Sequence, residues 1–135
     1  MKKILVIGGA YQGKTEWVQE NFQDYKNVSP ERLLQENREG KRTAGVYINR
    51  FHMIVKQWLQ TGKDCKEAMT LLRKNPSWLI VSDEIGNGIV PMEKDDREWR
   101  ECTGRILCEL AKDADEVYRI HCGIPCIIKG GDQAC

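Results

Sequence analysis

The chain has no long apolar run. No stretch approaches the ~20 residues that a membrane-spanning helix requires, so a helical membrane span is not expected. An excess of charge of one sign is missing too, because 21 basic and 20 acidic residues leave a formal net charge of +1. That balance gives no sign of the basic stripe of a nucleic-acid binder or of a surface made for anionic membranes. It points instead to a small anion-bearing partner. Histidine is scarce, with His52 and His121 its two occurrences. The six cysteines, Cys65, Cys102, Cys108, Cys122, Cys126 and Cys135, are scattered without the C-x-x-C pairs that mark a zinc site or a redox dithiol. They read as free thiols. The run His121-Cys122-Gly123-Ile124-Pro125-Cys126 reads as a strand end followed by a turn, with a soft-metal site as the alternative. No internal repeat or low-complexity tract interrupts the chain. With 135 residues, 41% of them apolar, the chain suits one domain around one core and leaves little room for a separate substrate domain.

What is present begins at the amino terminus. Met1-Lys2-Lys3-Ile4-Leu5-Val6-Ile7 superficially resembles a secretory signal, yet its apolar run is short and leads straight into Gly8-Gly9-Ala10-Tyr11-Gln12-Gly13-Lys14-Thr15. That octet fits G-x-x-x-x-G-K-[ST], the phosphate loop. Its glycines let backbone N–H groups curl around the α- and β-phosphates, the lysine reaches the β/γ oxygens, and the threonine hydroxyl can ligate Mg²⁺. A helix starting at Lys14 would add the positive end of its dipole. The strand-loop-helix context that the motif needs is there, so Gly8, Gly9, Ala10, Tyr11, Gln12, Gly13, Lys14 and Thr15 are the expected nucleotide-binding residues. Read this way, the chain is cytoplasmic and residues 1–135 form one P-loop nucleotide-binding domain.

Periodicity supplies the frame around the loop. Trp17, Val18 and Phe22 predict a short helix from Lys14 to Phe22, and Ser29-Pro30 is a good N-cap and first-turn pair for another carrying Leu33 and Leu34. Residues 35–43 are polar and aperiodic and read as a loop. Gly45-Val46-Tyr47-Ile48 predicts a short buried strand. A helix from Arg50 to about Leu59 follows, with Phe51, Ile54, Val55, Trp58 and Leu59 facing inward and Thr61-Gly62 ending it. Asp64 to Lys74 predicts a further helix, with Ala68, Leu71 and Leu72 on one side, closed by Asn75-Pro76. Trp78-Leu79-Ile80-Val81 predicts a buried strand, Glu93 to about Asp113 a long amphipathic helix, Glu116 to Ile120 a strand, and Ile127-Ile128 a short last one. Strands separated by helices imply an α/β fold with a mostly parallel sheet flanked by helices.

The Trp78 strand delivers Ser82-Asp83-Glu84 at its carboxyl end, where open α/β sheets place their sites. Phosphoryl transfer needs a metal and an acidic residue beside the phosphate loop. Thr15 and Asp83 are therefore the expected Mg²⁺ ligands, and Lys14, Asp83 and Glu84 the expected catalytic residues. Asn49, at the end of the Val46 strand, is a weaker oxygen donor. Lys41 and Arg42 read as a solvated pair, with a phosphate-clamping lid as the alternative. Arg97, Arg100 and Arg105 either face the site or pair with Glu93, Glu101 and Glu109 along an exposed helix face. Trp17, Trp58 and Trp99 read as core residues.

Val81-Ser82-Asp83-Glu84-Ile85-Gly86-Asn87-Gly88-Ile89-Val90-Pro91, then Arg97-Glu98-Trp99-Arg100-Glu101 with Gly104-Arg105, then Ala114-Asp115-Glu116-Val117 and Gly123-Ile124, together with the Gly-Gly-x-x-x-Gly-Lys form of the phosphate loop, resemble the adenosylcobinamide kinase / adenosylcobinamide-phosphate guanylyltransferase family. The resemblance covers the amino-terminal tenth and the last two-fifths of the chain. It implies a RecA-like phosphate-loop fold that uses GTP or ATP with Mg²⁺ to phosphorylate the aminopropanol hydroxyl of adenosylcobinamide, then joins GMP to that phosphate during cobalamin assembly. Homo-oligomers are implied as well. The middle of the chain departs from the pattern and is shorter there. The family's guanylylated histidine has no counterpart in position, with His52 inside a predicted helix and His121 at a strand end. Kinase-type nucleotide use is thus the better supported activity. His52 is the one substitute nucleophile to weigh, against a helix residue satisfied by a neighbour.

Overall fold

A computed structural model describes residues 2–29, 31–32, 35, 45–63, 65–74, 77–85 and 94–130, the side chains of residues 68, 71 and 95 excepted. The predicted Leu33-Leu34 helix face, Lys41 and Arg42, and the Gly86–Pro91 loop lie outside them. Strand β1 (Lys3–Gly8) leads through the phosphate-loop octet into helix α1 (Lys14–Asn21). Strands β2 (Lys26–Asn27) and β3 (Val46–Ile48) precede helices α2 (Phe51–Thr61) and α3 (Cys65–Lys74). Then come β4 (Trp78–Asp83), the long helix α4 (Lys94–Asp113), β5 (Glu116–His121) and β6 (Ile124–Lys129). The strands form one six-stranded sheet in the order β2-β3-β4-β1-β5-β6. Every pairing is parallel except that of β5 with β6, so this is the mostly parallel α/β sheet expected.

The two faces of the sheet fill differently. Alternation along each strand sends Leu5, Ile48, Trp78, Ile80 and Val117 to one side, where α2, α3 and α4 cover them with Phe51, Val55, Trp58, Met69, Leu72, Ile106 and Leu110. Ile4, Val6, Tyr47, Leu79, Val81 and Ile120 point to the other side and meet Val18 of α1, with Trp17, Phe22, Tyr25 and Tyr118 at the margin. Strands buried on both faces read as continuous apolar runs, as Ile4–Ile7 and Trp78–Val81 do.

The helix limits follow local chemistry. Gly62, at φ 73°, closes α2 in the left-handed conformation that glycine adopts without penalty. The Ser29 hydroxyl accepts the Arg32 N–H at 3.3 Å, the bond expected of an N-cap. The last strand is longer than Ile127-Ile128 alone suggested. Cys122 and Gly123, both at positive φ, make the two-residue turn that folds β6 back onto β5.

Candidate functional site

The parallel register sets Gly8 of β1 opposite Asp83 of β4, so the phosphate-loop octet leaves the sheet beside that carboxylate. The Glu84 N–H fastens the two strand ends by donating to the Gly8 carbonyl at 2.8 Å. Gly8 must lack a side chain, because a Cβ there would stand 2.5 Å from the Ile120 carbonyl oxygen of β5. Gly13, the residue before α1, has φ 86° and lies so close to Gly123 that an added Cβ would come within 3.2 Å of its Cα. The loop is clasped from the β5–β6 turn: Gln12 accepts the Gly123 N–H with its backbone carbonyl at 2.7 Å and the Cys122 N–H with Oε1 at 2.7 Å. These bonds fix the loop's outer wall while its inner wall faces a cavity.

That cavity, about 340 Å³, is lined by Ala10 to Glu16 of the loop and first turn, by Asn49 and Arg50, and by Val81, Ser82 and Asp83. Lys14 is 7% exposed, and its ammonium donates to the Gly9 carbonyl at 2.6 Å and to Asp83 Oδ1 at 2.6 Å. A buried cation so held is paired and hydrogen-bonded, as its desolvation demands. The Thr15 hydroxyl donates to Asn49 Oδ1 at 3.4 Å. Asn49 Oδ1 also accepts the Arg50 N–H at 3.0 Å. Arg50 itself sits at φ 53°, a left-handed conformation rare for a residue with a β-carbon, and this kink turns the chain from β3 into α2.

The kink also directs His52 at Asp83 from behind. His52 Nδ1 accepts the Asp83 backbone N–H at 3.0 Å, and Nε2 lies 3.3 Å from Asp83 Oδ2. An acceptor Nδ1 makes the imidazole the neutral Nε2–H tautomer, whose Nε2 lies against the carboxylate in polar contact. Burial lowers the His52 pKa below its ordinary value; Asp83 opposes that shift, and Arg50 and Lys14 add to it. The Trp99 indole N–H of α4 donates to the His52 carbonyl at 2.7 Å, so the long helix braces this turn of α2.

Of the residues expected from sequence, the structure brings Lys14, Thr15 and Asp83 together with Ala10, Tyr11, Gln12 and Gly13. Gly8 and Gly9 shape the loop from the sheet side rather than lining the cavity. Glu84 is set apart: its carboxylate pairs with Arg119 of β5 at 2.8 Å. None of Arg97, Arg100 and Arg105 lines the cavity. Arg105 borders instead a separate groove between α3 and α4. His121 is exposed at the end of β5. Of the tryptophans, Trp58 is fully buried, Trp99 braces His52 and Trp17 packs on Phe22 and Tyr118. Sequence reasoning missed the His52–Asp83 pair and the Gln12 clasp. Both join segments far apart in the chain, and spacing carries no signal for them.

Among the oxygen donors lining the cavity are the Thr15 hydroxyl, the Asn49 amide and the Asp83 carboxylate, hard oxygens of the kind Mg²⁺ takes while it keeps waters and phosphate oxygens as its remaining ligands. Thr15, Asn49 and Asp83 therefore fit such an ion beside a bound phosphate chain. Among the described residues no cluster of three His, Cys, Asp or Glu side chains could hold a metal by itself. No helix there is long and apolar enough to cross a membrane.

A curated relative, the bifunctional adenosylcobalamin biosynthesis protein CobU of Salmonella typhimurium, is 41% identical over 51 residues, which are 38% of this chain and 28% of the relative. The aligned stretch thus spans well under a third of that protein. The family of cobinamide kinase / cobinamide phosphate guanyltransferase matches residues 32–128, a span that takes in the middle of the chain as well as Asn49, His52, Asp83 and Glu84. On that match, the chain belongs to the cobinamide kinase / cobinamide phosphate guanyltransferase family, a family of enzymes.

Proposed function

We propose that the chain is a phosphate-loop kinase of cobalamin biosynthesis, binding GTP or ATP with Mg²⁺ and phosphorylating adenosylcobinamide. The observation that carries this reading is the meeting of Lys14, Thr15, Asn49 and Asp83 on one cavity at the carboxyl ends of β1, β3 and β4. In the reaction the acceptor hydroxyl oxygen attacks the γ-phosphorus, the bond from that phosphorus to the β,γ-bridging oxygen breaks, and the nucleoside diphosphate leaves with the electron pair. The hydroxyl proton passes to solvent or a phosphate oxygen. Such transfer rests on positioning and on neutralising charge. Lys14 would exchange Asp83 for a phosphate oxygen, the loop N–H groups would cradle the chain of phosphates, and Arg50 at the rim would face the developing charge. Thr15, Asn49 and Asp83 would hold Mg²⁺, which when bound draws charge from the phosphate oxygens.

Guanylyl transfer is the weaker half of the reading. A histidine nucleophile must present a bare ring nitrogen to the α-phosphorus. His52 is buried, absent from the cavity lining and committed through Nδ1 to the Asp83 N–H, and His121 does not line the cavity either. The test is transfer of label from γ-labelled GTP or ATP to adenosylcobinamide in Mg²⁺, with Lys14→Ala beside the parent. Transfer by the parent alone, with nucleotide affinity about 10- to 100-fold weaker in the variant from loss of a charged hydrogen bond, supports the kinase. Nucleotide binding by the parent without any transfer overturns the kinase in favour of a non-catalytic binding protein.

A further inference from the structure

Asp83 is held from two sides. Lys14 grips Oδ1 at 2.6 Å, and His52 grips the residue twice, accepting its N–H at 3.0 Å and meeting Oδ2 at 3.3 Å. The two grips differ in kind. Lys14 stands on the cavity wall and is the cation a phosphate would claim. His52 is 5% exposed, is absent from the cavity lining, and is anchored through its carbonyl to Trp99, whose ring lies under the Lys56 ammonium at 4.8 Å. Once a phosphate takes Lys14, the imidazole is the holder that remains. A carboxylate left to move would scatter its oxygens, and a held one presents Oδ1 to the cavity.

We propose that His52 is a positioning residue for metal binding: its Nδ1, by accepting the Asp83 N–H, holds Asp83 in place when Lys14 moves to the phosphates, and so sets how tightly the nucleotide-bound protein takes Mg²⁺. The role rests on the nucleotide reading above and adds to it a residue with no contact to substrate. Its signature is a metal effect separated from nucleotide binding. Loss of a hydrogen bond behind a metal-binding carboxylate typically weakens metal affinity by about 10-fold or more.

The experiment measures binding of a fluorescent nucleoside triphosphate by the full chain in EDTA and through a Mg²⁺ titration, for the parent, His52→Asn and His52→Gln. Asparagine keeps an acceptor near Nδ1 for the Asp83 N–H, and glutamine keeps a donor near Nε2 for Oδ2. The expected result is EDTA affinity within about twofold in all three, a Mg²⁺ half-saturation about 10-fold higher in His52→Gln, and near-parent behaviour in His52→Asn. Equal Mg²⁺ responses in all three proteins overturn the role. So does an equal rise in both variants, which would remove the assignment to Nδ1, or an equal loss of affinity with and without Mg²⁺, which would make His52 a structural residue. A parent that binds no triphosphate overturns the nucleotide reading together with this one; a parent that binds while the variants match it overturns the positioning role alone.

Discussion

The two faces of the sheet contribute to the site in opposite ways. On one, α2, α3 and α4 bury a broad cluster around Phe51, Val55, Trp58 and Leu110; on the other, α1 covers a smaller one around Val18. Asn49, Arg50 and His52 come from the first side and Lys14 and Thr15 from the second, and Asp83 joins them across the sheet. The heavily packed side thus supplies the fixed wall. The lightly packed side supplies the loop and the lysine that, on the proposed reading, changes partners.

Truncating the anchor of the fixed wall is the largest expected blow to this contrast. Phe51 is fully buried, meets Trp58 edge-on at 5.7 Å, and is the neighbour of both Arg50 and His52. Phe51→Ala should lower stability by about 3–5 kcal/mol. Val18→Ala, on the thin side, removes two methyl groups from a fully buried site and should cost about 2 kcal/mol. Urea unfolding of both variants checks the order. Equal costs would mean that the faces are coupled rather than unequal.

A third change separates the two partners of Lys14. In Asp83→Asn the carboxylate is gone, so Lys14 keeps its bond to the Gly9 carbonyl but loses its ion pair, and the Asp83 charge no longer repels the incoming phosphates. Triphosphate affinity in EDTA should therefore rise about fivefold. In saturating Mg²⁺ it should fall about tenfold, because an amide binds the ion more weakly than a carboxylate. Isothermal titration under both conditions reads the sign. A fall in both would show that Asp83 supports the loop itself and not the exchange of partners.

How much of this was legible in the sequence depends on range. The Gly8–Thr15 octet that fits the phosphate-loop pattern, its flanking strand and helix, and Asp83 at the end of an apolar strand are local patterns, and the structure brings these segments together. The ends of helix α2 were equally readable, from its apolar period and from Gly62. Strand β2 was not, because Lys26 and Asn27 are exposed and belong to the sheet only through pairing with Val46 and Tyr47. Glu84 had the position of a site carboxylate, yet a partner two strands away, Arg119, holds it outside the cavity. His52 read correctly as a helix residue satisfied by a neighbour. That the neighbour is Asp83, 31 residues on, comes from the left-handed turn at Arg50, which no periodicity announces.

The smallest effects expected are two losses of stability on acidification, one from behind the cavity wall and one from the opposite end of the sheet. His52 has a folded-state pKa below its ordinary 6.5, chiefly through burial, so the neutral ring's contribution is complete above that value and is lost as the pH falls through the folded pKa. Protonation would also set an Nδ1–H against the Asp83 N–H it now accepts. Asp113 is lowered from 3.8 chiefly by its hydrogen bond to Lys3 at 3.0 Å, with Arg73 assisting. Its contribution is complete above that value and disappears in stronger acid, by about 0.5–1 kcal/mol for a partly exposed pair. Urea midpoints measured from pH 8 to pH 2 should then fall in two stages. His52→Gln should remove the upper stage, and Asp113→Asn should shrink the lower, which Glu116, held low against its burial by Lys2 and Tyr118, shares with Asp113. An upper stage that persists without the imidazole would assign it to another group and leave the cavity wall insensitive to mild acid.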